Sequence, residues 1–212
     1  MEDVLAVYQR PYDPQRPVVC LDELSKVLRS TPRGEIAMQS GQSRRQDYEY
    51  ERHGVADLFL WVEPLRGRRQ ARVRDRRTAH DFAEVVRAIV DEDYPDAEII
   101  VLVLDNLNTH GPAALYEHFP PEEARRIAEK IEWHFTPEHG SWLNVAECEL
   151  SALSRQCLNR RIPDKETLIQ EVTAWTKRRN EAIITVDWQF TTNDARTKLK
   201  RLYPVLKEQN PA

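Results

Sequence analysis

Long apolar runs are missing from this sequence. No stretch approaches the ~20 consecutive apolar residues that a membrane-spanning helix needs. A basic-then-apolar leader is missing too: the chain begins Met1-Glu2-Asp3-Val4, acidic where a secretory signal is basic. Cysteine is scarce. The three present, Cys20, Cys148 and Cys157, are odd in number and far apart. They fit neither a disulfide framework nor a Cys-x-x-Cys zinc or redox site. Reduced thiols in a cytoplasm are the expectation, with no membrane association. No internal repeat or low-complexity segment occurs. Positive charge is not in excess either: 31 Lys and Arg against 35 Asp and Glu leave a formal net charge of −4. What is there is 212 residues, 41% hydrophobic and 31% charged. That is one globular domain with a full core.

The charge is unevenly spread. Arg66, Arg68, Arg69, Arg72, Arg74, Arg76 and Arg77 crowd one segment. Arg155, Arg160 and Arg161 form a second group, Lys177, Arg178 and Arg179 a third, and Lys198, Lys200 and Arg201 a fourth. Acids gather at 91–98 and 122–132. Local basic stripes hold phosphates despite an acidic total, and the fork-shaped guanidinium suits a phosphate. Arg68, Arg69, Arg72, Arg74, Arg155, Arg160 and Arg161 are the candidate phosphate contacts.

The run Ile99-Ile100-Val101-Leu102-Val103-Leu104 ends abruptly in Asp105-Asn106-Leu107-Asn108-Thr109-His110. Short and rich in β-branched residues, it reads as a strand buried on both faces. Such a strand cannot carry a carboxylate in its middle without a partner. At its C-terminal end it can, and that edge is where ligands collect in open α/β sheets. Arg16-Pro17-Val18-Val19-Cys20-Leu21-Asp22-Glu23 has the same grammar and closes on Asp22. Two such strands in one sheet bring two carboxylates within reach of a shared cation.

A third acid lies in the segment from Thr136 to Leu150, which passes from loop into helix with Ser141 or Asn144 as N-cap. On a helical wheel Glu149 falls on the stripe Trp142, Ala146, Leu150, Leu153 and Cys157, and Glu147 falls to one side. Periodicity alone picks Glu149 as the inward acid, or leaves both on a solvated face. Asn106, Asn108 and His110 stand close enough behind Asp105 to orient water or touch a phosphate. Zinc is not supported, because His110, His134, His139 and Cys148 lack the helical His-Glu-x-x-His spacing. A haloacid-type phosphatase is excluded, because Leu24 and Leu107 stand where its second Asp belongs.

The coarse element order follows from turns and periodicity. Residues 1–16 read as a Pro- and Tyr-containing lead-in and 17–22 as a strand. Residues 25–46 read mostly as loop. Tyr48–Arg52 and Ala56–Glu63 flank His53-Gly54 as a hairpin, and Arg69–Arg74 is a strand after the turn at Gly67. Thr78 caps a helix whose apolar face is Phe82, Val85, Val86, Ile89 and Val90. Pro120-Pro121 opens a helix through Lys130, and Ile131–Phe135 is a strand. Helices occupy about 142–159, 164–181 and 192–201. The pattern is an α/β fold with a mixed sheet.

Three motifs now stand in order: Leu-Asp-Glu at 21–23, Leu-Asp-Asn-Leu-Asn-Thr-His at 104–110, and His-Gly-Ser-Trp-Leu-Asn-Val-Ala-Glu at 139–147. Together with Tyr48-Glu49-Tyr50 and the tail Phe190–Arg196 they resemble the DDE transposases of bacterial insertion sequences related to the Tc/mariner superfamily. The resemblance implies a ribonuclease H-like fold, a mixed central sheet of about five strands flanked by helices, over residues 17–204, with 205–212 as a tail. It implies that Asp22, Asp105 and Glu147 are the catalytic and metal-holding triad, so the motif overrules the wheel, with Glu149 as fallback. The chain differs from many relatives in having Val145 for Pro and Trp142 for Asp. Two Mg²⁺ ions, or Mn²⁺ in their place, are expected, since hard cations take carboxylate oxygen and phosphate. The implied activity is cleavage and strand transfer of double-stranded DNA, at element ends and target, by a homodimer on DNA. Arg68, Arg69, Arg72, Arg74, Asn106, His110, Arg155, Arg160 and Arg161 are the expected DNA contacts. The resemblance also implies a helix-turn-helix region ahead of the first strand. The lead-in, with Pro11, Pro14 and Pro17, leaves no room for one. The alternative is a truncated, non-mobilising remnant that only binds DNA or a protein.

Overall fold

The apolar run that ends in Asp22 does not end its strand there. In the computed structural model, which describes residues 1–32, 35–36, 39–42, 45–46, 48–107 and 110–203, strand β1 spans Val18–Ser30. Asn108 and the tail 205–212 lie outside the described residues. The other strands are β2 (Glu35–Ile36), β3 (Arg45–Gln46), β4 (Glu51–Glu63), β5 (Arg68–Arg74), β6 (Ile100–Leu104) and β7 (Ile131–Phe135). Five of them form one sheet in the order β5-β4-β1-β6-β7, and β2 and β3 pair separately. β4 runs antiparallel to both of its neighbours, β5 and β1, and β6 and β7 continue the sheet parallel to β1.

The helices are α1 (Glu2–Tyr8), α2 (Ala79–Ala88), α3 (Pro112–His118), α4 (Pro121–Glu129), α5 (Val145–Leu153), α6 (Lys165–Glu181) and α7 (Thr192–Lys198). They cover both faces, as a sheet with buried parallel strands requires. On one face α1, α5, α6 and α7 pack Leu5, Val145, Leu150, Trp175 and Ala195 against Cys20, Leu58, Leu60 and Val103. On the other α2, α3 and α4 pack Phe82, Val86, Leu115 and Ile127 against Val19, Leu21, Phe59 and Leu102. The alternation of Val19, Cys20 and Leu21 between the two cores is the period of a strand. Among the described residues no helix is long and apolar enough to cross a membrane.

Three local expectations are corrected. The stretch 25–46 is not mostly loop from its start, because β1 continues to Ser30 against β4, past an irregularity between Val27 and Arg29. No hairpin forms at His53-Gly54. Gly54 has φ 100° yet lies inside a continuous β4 whose partner is β1, Lys26 facing Ala56 and Val27 facing Val55. The tight turn is at Gly67, whose φ is 68° and where an added Cβ would stand 2.9 Å from the Ile184 carbonyl oxygen; only glycine fits. The lead-in contains α1, ahead of the prolines, and it buries Val4, Leu5 and Val7 in the domain core.

The capping signals are better guides. Thr78 caps α2 in a reciprocal box with Asp81, and Asp164 caps α6. The helix expected over 142–159 begins at Val145, after a 3₁₀ turn at Ser141–Leu143, and closes in a π turn at Ser154–Leu158. The last helix ends at Lys198, before a separate 3₁₀ turn. α3, unannounced by any long apolar stripe, has Pro112 in its first turn, where the missing N–H costs nothing.

An ionic cluster ties the first residues to the edge strand. Glu132 of β7 meets Arg10 at 2.8 Å, Arg16 and His134, and His134 also contacts Asp3 of α1 at 2.7 Å. Arg10 above all, with His134 and Arg16, holds the Glu132 carboxyl down from its ordinary 4.5 to about 2. A depressed carboxylate stabilises the fold fully above its unfolded value, and that stability is lost as pH falls through the folded one. Glu132→Gln is therefore expected to lower stability at pH 7 and to flatten its loss between about pH 4.5 and 2. Urea unfolding at several pH values measures this; parallel pH profiles for parent and variant would remove Glu132 from the account.

Candidate active site

Asp22 and Asp105 are placed by strand register. β1 and β6 pair in parallel through Val18 with Val101, Val19 with Leu102 and Cys20 with Val103. Asp22 and Asp105 each come two residues after that last pair. Parallel strands set equivalent positions side by side, so the two acids lie on neighbouring strands at the same level. β6 ends at Leu104, which releases Asp105 from the ladder. β1 continues, and Asp22 stays opposite Leu60 of β4.

Glu147 is placed by a cap. Asn144, buried, accepts from the Ala146 N–H at 3.1 Å and donates its amide to the Leu21 carbonyl at 2.8 Å. One side chain thus starts α5 and fastens that start beside Asp22. Tyr8 of α1 adds a second tie, donating to the Leu143 carbonyl at 2.8 Å. Glu147 then falls in the first turn of α5, where the helix dipole favours an acid. Val145 takes the first helical position, the one best suited to proline, so the helix begins where relatives with Pro would begin it.

The acids act on one another's charge. The Asp22 carboxyl is pushed up to about 7, first by burial and then by the negative charges of Asp105, Glu23 and Glu147; the Glu23 N–H, donating at 2.8 Å, opposes this. The sequence pattern gives Glu23 no role of its own, since the Leu-Asp-Glu motif points to its Asp. Its carboxyl is nonetheless raised, mainly by burial. Negative charge from Asp105 and Glu147 that raises Asp22 suits a divalent cation of the hard, oxygen-seeking kind. Glu23, Asp105 and His110 also offer ligand atoms within 4.8 Å of one another.

Glu149 is the inward acid that the wheel picks, and it faces a different partner. Buried at the α5–α6–β5 junction, it contacts Arg179 at 2.7 and 3.0 Å and Arg69 at 3.1 Å. Glu147 is exposed on the other side of the helix. The wheel thus finds the buried acid of α5, and the motif points to the exposed one.

Two of the expected DNA contacts are corrected. Arg69 is fully buried, held by Glu149, the Gly67 and Ile184 carbonyls and Asn180. His110 is buried, with its ring against Asp105, Glu23 and Phe82. Neither reaches a ligand in solution. Arg68 and Arg72 are partly exposed but paired with Asp93 and Glu92. Asn106, Arg155 and Arg160 are exposed, though Arg160 pairs with Glu171 at 2.5 Å. Arg74 lines an open basic hollow with Arg72, Arg76 and Lys165. Arg161 binds the Thr31 hydroxyl and the Tyr48 and Glu49 carbonyls. His139 is exposed beside Glu138 and takes no part in the acidic site. Among the described residues, an enclosed cavity between Tyr8, Glu63, Val145 and Trp188 holds about 20 Å³, room for one water.

A mixed five-stranded sheet with helices on both faces, in which two adjacent parallel strands bring Asp22 and Asp105 to the same level, defines a ribonuclease H-like fold. The chain belongs to the DDE superfamily endonucleases, whose sequence pattern matches residues 17–169. Its fold is that of the mariner transposase Mos1. The structure of the Mos1 mariner paired end complex with Mn aligns at 16% identity with a TM-score of 0.55, covering 85% of this chain and 54% of that one. The Mos1 strand transfer complex aligns at 14% identity with a TM-score of 0.52, covering 85% and 55%. The chain thus spans about half the length of the Mos1 chains it matches. No curated protein matches it. A domain of this family uses a divalent metal, and the acids gathered around Asp22 suit one.

Proposed function

We propose that this chain is the catalytic domain of an insertion-sequence transposase, cutting DNA strands and joining them to target DNA. What supports the reading is the match of residues 17–169 to the DDE superfamily endonucleases, together with the parallel β1–β6 register that sets Asp22 beside Asp105. Asp22, Asp105 and Glu147 would hold two Mg²⁺ ions, with Mn²⁺ able to replace them. Bound divalent ions supply an activated nucleophile and a clamp on the leaving oxygen in an in-line phosphodiester displacement. The residues of the chain do the placing. Asn144 and Tyr8 fix the start of α5, the β1–β6 register fixes the two aspartates, and buried apolar walls on both faces keep the carboxylates from relaxing apart. The working form is a homodimer on DNA in the cytoplasm.

The phosphate track follows β1 and α5, which pack together and run away from the acids. Lys26, Arg29, Arg160 and Arg161 line one groove, and Arg155, Arg160 and Arg178 line the next. Among the described residues, the buried Nε of Arg29 has no hydrogen bond. From Asp22 to Arg29 the strand covers roughly 23 Å, about seven base-pair steps. Charge removal here is expected to weaken binding of any duplex and to lower the slope of log K against log salt by about 0.9 per lost phosphate contact. A salt titration of Arg29→Ala with Arg155→Ala reads it, and an unchanged slope would move the track elsewhere. The activity is tested by incubating the chain with a duplex carrying the flanking element's own ends, with and without Mg²⁺ or Mn²⁺. Metal-dependent nicks at the end are the expected result; binding without cleavage under every metal would leave only a DNA-binding module.

A further inference from the structure

Strand alternation sends the two neighbouring acids of β1 to opposite faces. Asp22 is in phase with Cys20, on the α5 side, and Glu23 with Leu21, on the α2 side. The Glu23 side chain is therefore only 4% exposed. Arg77 stands 3.4 Å from its Oε1. His110 Nε2 stands 3.2 Å from its Oε2, a buried oxygen that no hydrogen bond satisfies among the described residues. Through its other nitrogen His110 reaches Asp105 Oδ1 at 2.7 Å. Its ring stacks on Phe82 with centroids 4.7 Å apart. A buried carboxylate with an unsatisfied oxygen destabilises the fold, and an apolar side chain would pack the same space at lower cost.

We infer that Glu23 and His110 form a positioning pair for Asp105. Glu23 sets the ring through the 3.2 Å approach of its Oε2 to Nε2, and with a ring proton on Nδ1 His110 donates to Asp105 Oδ1, leaving the other carboxylate oxygen for the cation. The inference rests on the reading of Asp105 as a metal-holding acid. His110 touches neither cation nor DNA in this arrangement, so its part is positioning. Outer partners of this type orient metal-holding side chains, and their loss lowers metal affinity about 10- to 100-fold. Glu23, Asp105 and His110 do not jointly surround one ion through the contacts observed, because His110 meets the two acids through opposite ring nitrogens.

The test is Mn²⁺ binding to the intact chain without DNA, followed by electron paramagnetic resonance. Four variants are compared with the parent: Asp105→Asn, His110→Phe, His110→Asn and Glu23→Leu. Phe keeps the stack on Phe82 and has no N–H; Asn keeps an amide N–H near the place of Nδ1. His110→Phe is expected to weaken Mn²⁺ binding about tenfold or more, and Glu23→Leu about threefold or more. His110→Asn is expected to recover most of the loss, which a purely packing role for the ring would not allow. Asp105→Asn is expected to abolish tight binding; if it binds like the parent, the metal-holding reading of Asp105 fails first. If Asp105→Asn loses binding while His110→Phe does not, the positioning inference alone is overturned. Equal weakness of His110→Phe and His110→Asn overturns it too, as does a Glu23→Leu loss as complete as that of Asp105→Asn, which would make Glu23 a ligand. Should His110→Phe not fold, Glu23→Leu decides: weaker binding supports the pair and unchanged binding overturns it.

Discussion

Asp105→Asn and Glu147→Gln are each expected to reduce metal-dependent nicking by about a thousandfold or more, roughly 4 kcal/mol of transition-state stabilisation, while leaving the fold intact. The amides keep the shape of the carboxylates and remove the charge that holds a cation. Asp105 stands at the free end of β6 and Glu147 is exposed in the first turn of α5, so neither change disturbs the core. Both effects should appear in the rate and not in the urea midpoint. Nicking by either variant at the parental rate in Mg²⁺ would mean that another group does the work.

Glu149→Ala is expected to do the reverse. Two residues along the same helix, this acid is buried against Arg69 and Arg179. Its loss leaves the Arg69 guanidinium, fully buried between β5 and α6, without its counter-charge. Breaking one side of a buried pair costs about 3–5 kcal/mol, a large part of the stability of a domain of this size. Burial lowers the Arg69 pKa and Glu149 opposes that, which is the same dependence seen from the arginine. Replacing both partners together, Glu149→Leu with Arg69→Met, is expected to recover most of the loss, because no uncompensated charge then remains. Chemical denaturation measures both. If Glu149→Ala and the double variant unfold at the parental midpoint, the pair is not structural.

The contrast between these two acids shows what is legible in the sequence. Asp105 is legible because a strand buried on both faces tolerates a carboxylate only where the chain leaves the sheet; the same rule misplaces the end of β1, which carries Asp22 on within the ladder opposite Leu60 while register sets it beside Asp105. Helix starts are legible where a side chain supplies the cap, as at Thr78, and less so where two candidates compete, as Ser141 and Asn144 do until the structure gives the cap to Asn144. Periodicity finds the buried acid of α5 but cannot tell a core ion pair from a cleft. That difference depends on Arg69 and Arg179, which lie 80 and 30 residues away in the sequence. For the same reason the Arg-rich segment reads as a phosphate surface, although β5 turns Arg69 into the core and Asp93 and Glu92 meet Arg68 and Arg72. The role of Glu23 is hidden by adjacency: next to Asp22 it reads as one acidic pair, whereas strand alternation gives each acid its own face. α1 is masked by the prolines at 11, 14 and 17, which signal an irregular lead-in although the helix lies wholly ahead of them.

The central claim is that Asp22, Asp105 and Glu147 together make one divalent-cation site. Anomalous diffraction from crystals of this chain soaked in Mn²⁺ tests it most directly. The account predicts anomalous density between the carboxylates of Asp22, Asp105 and Glu147, absent in Asp105→Asn crystals soaked alike. Density confined to the α2 side, between Glu23 and His110, or none at Asp22 and Glu147 with the cleft open to solvent, would contradict it.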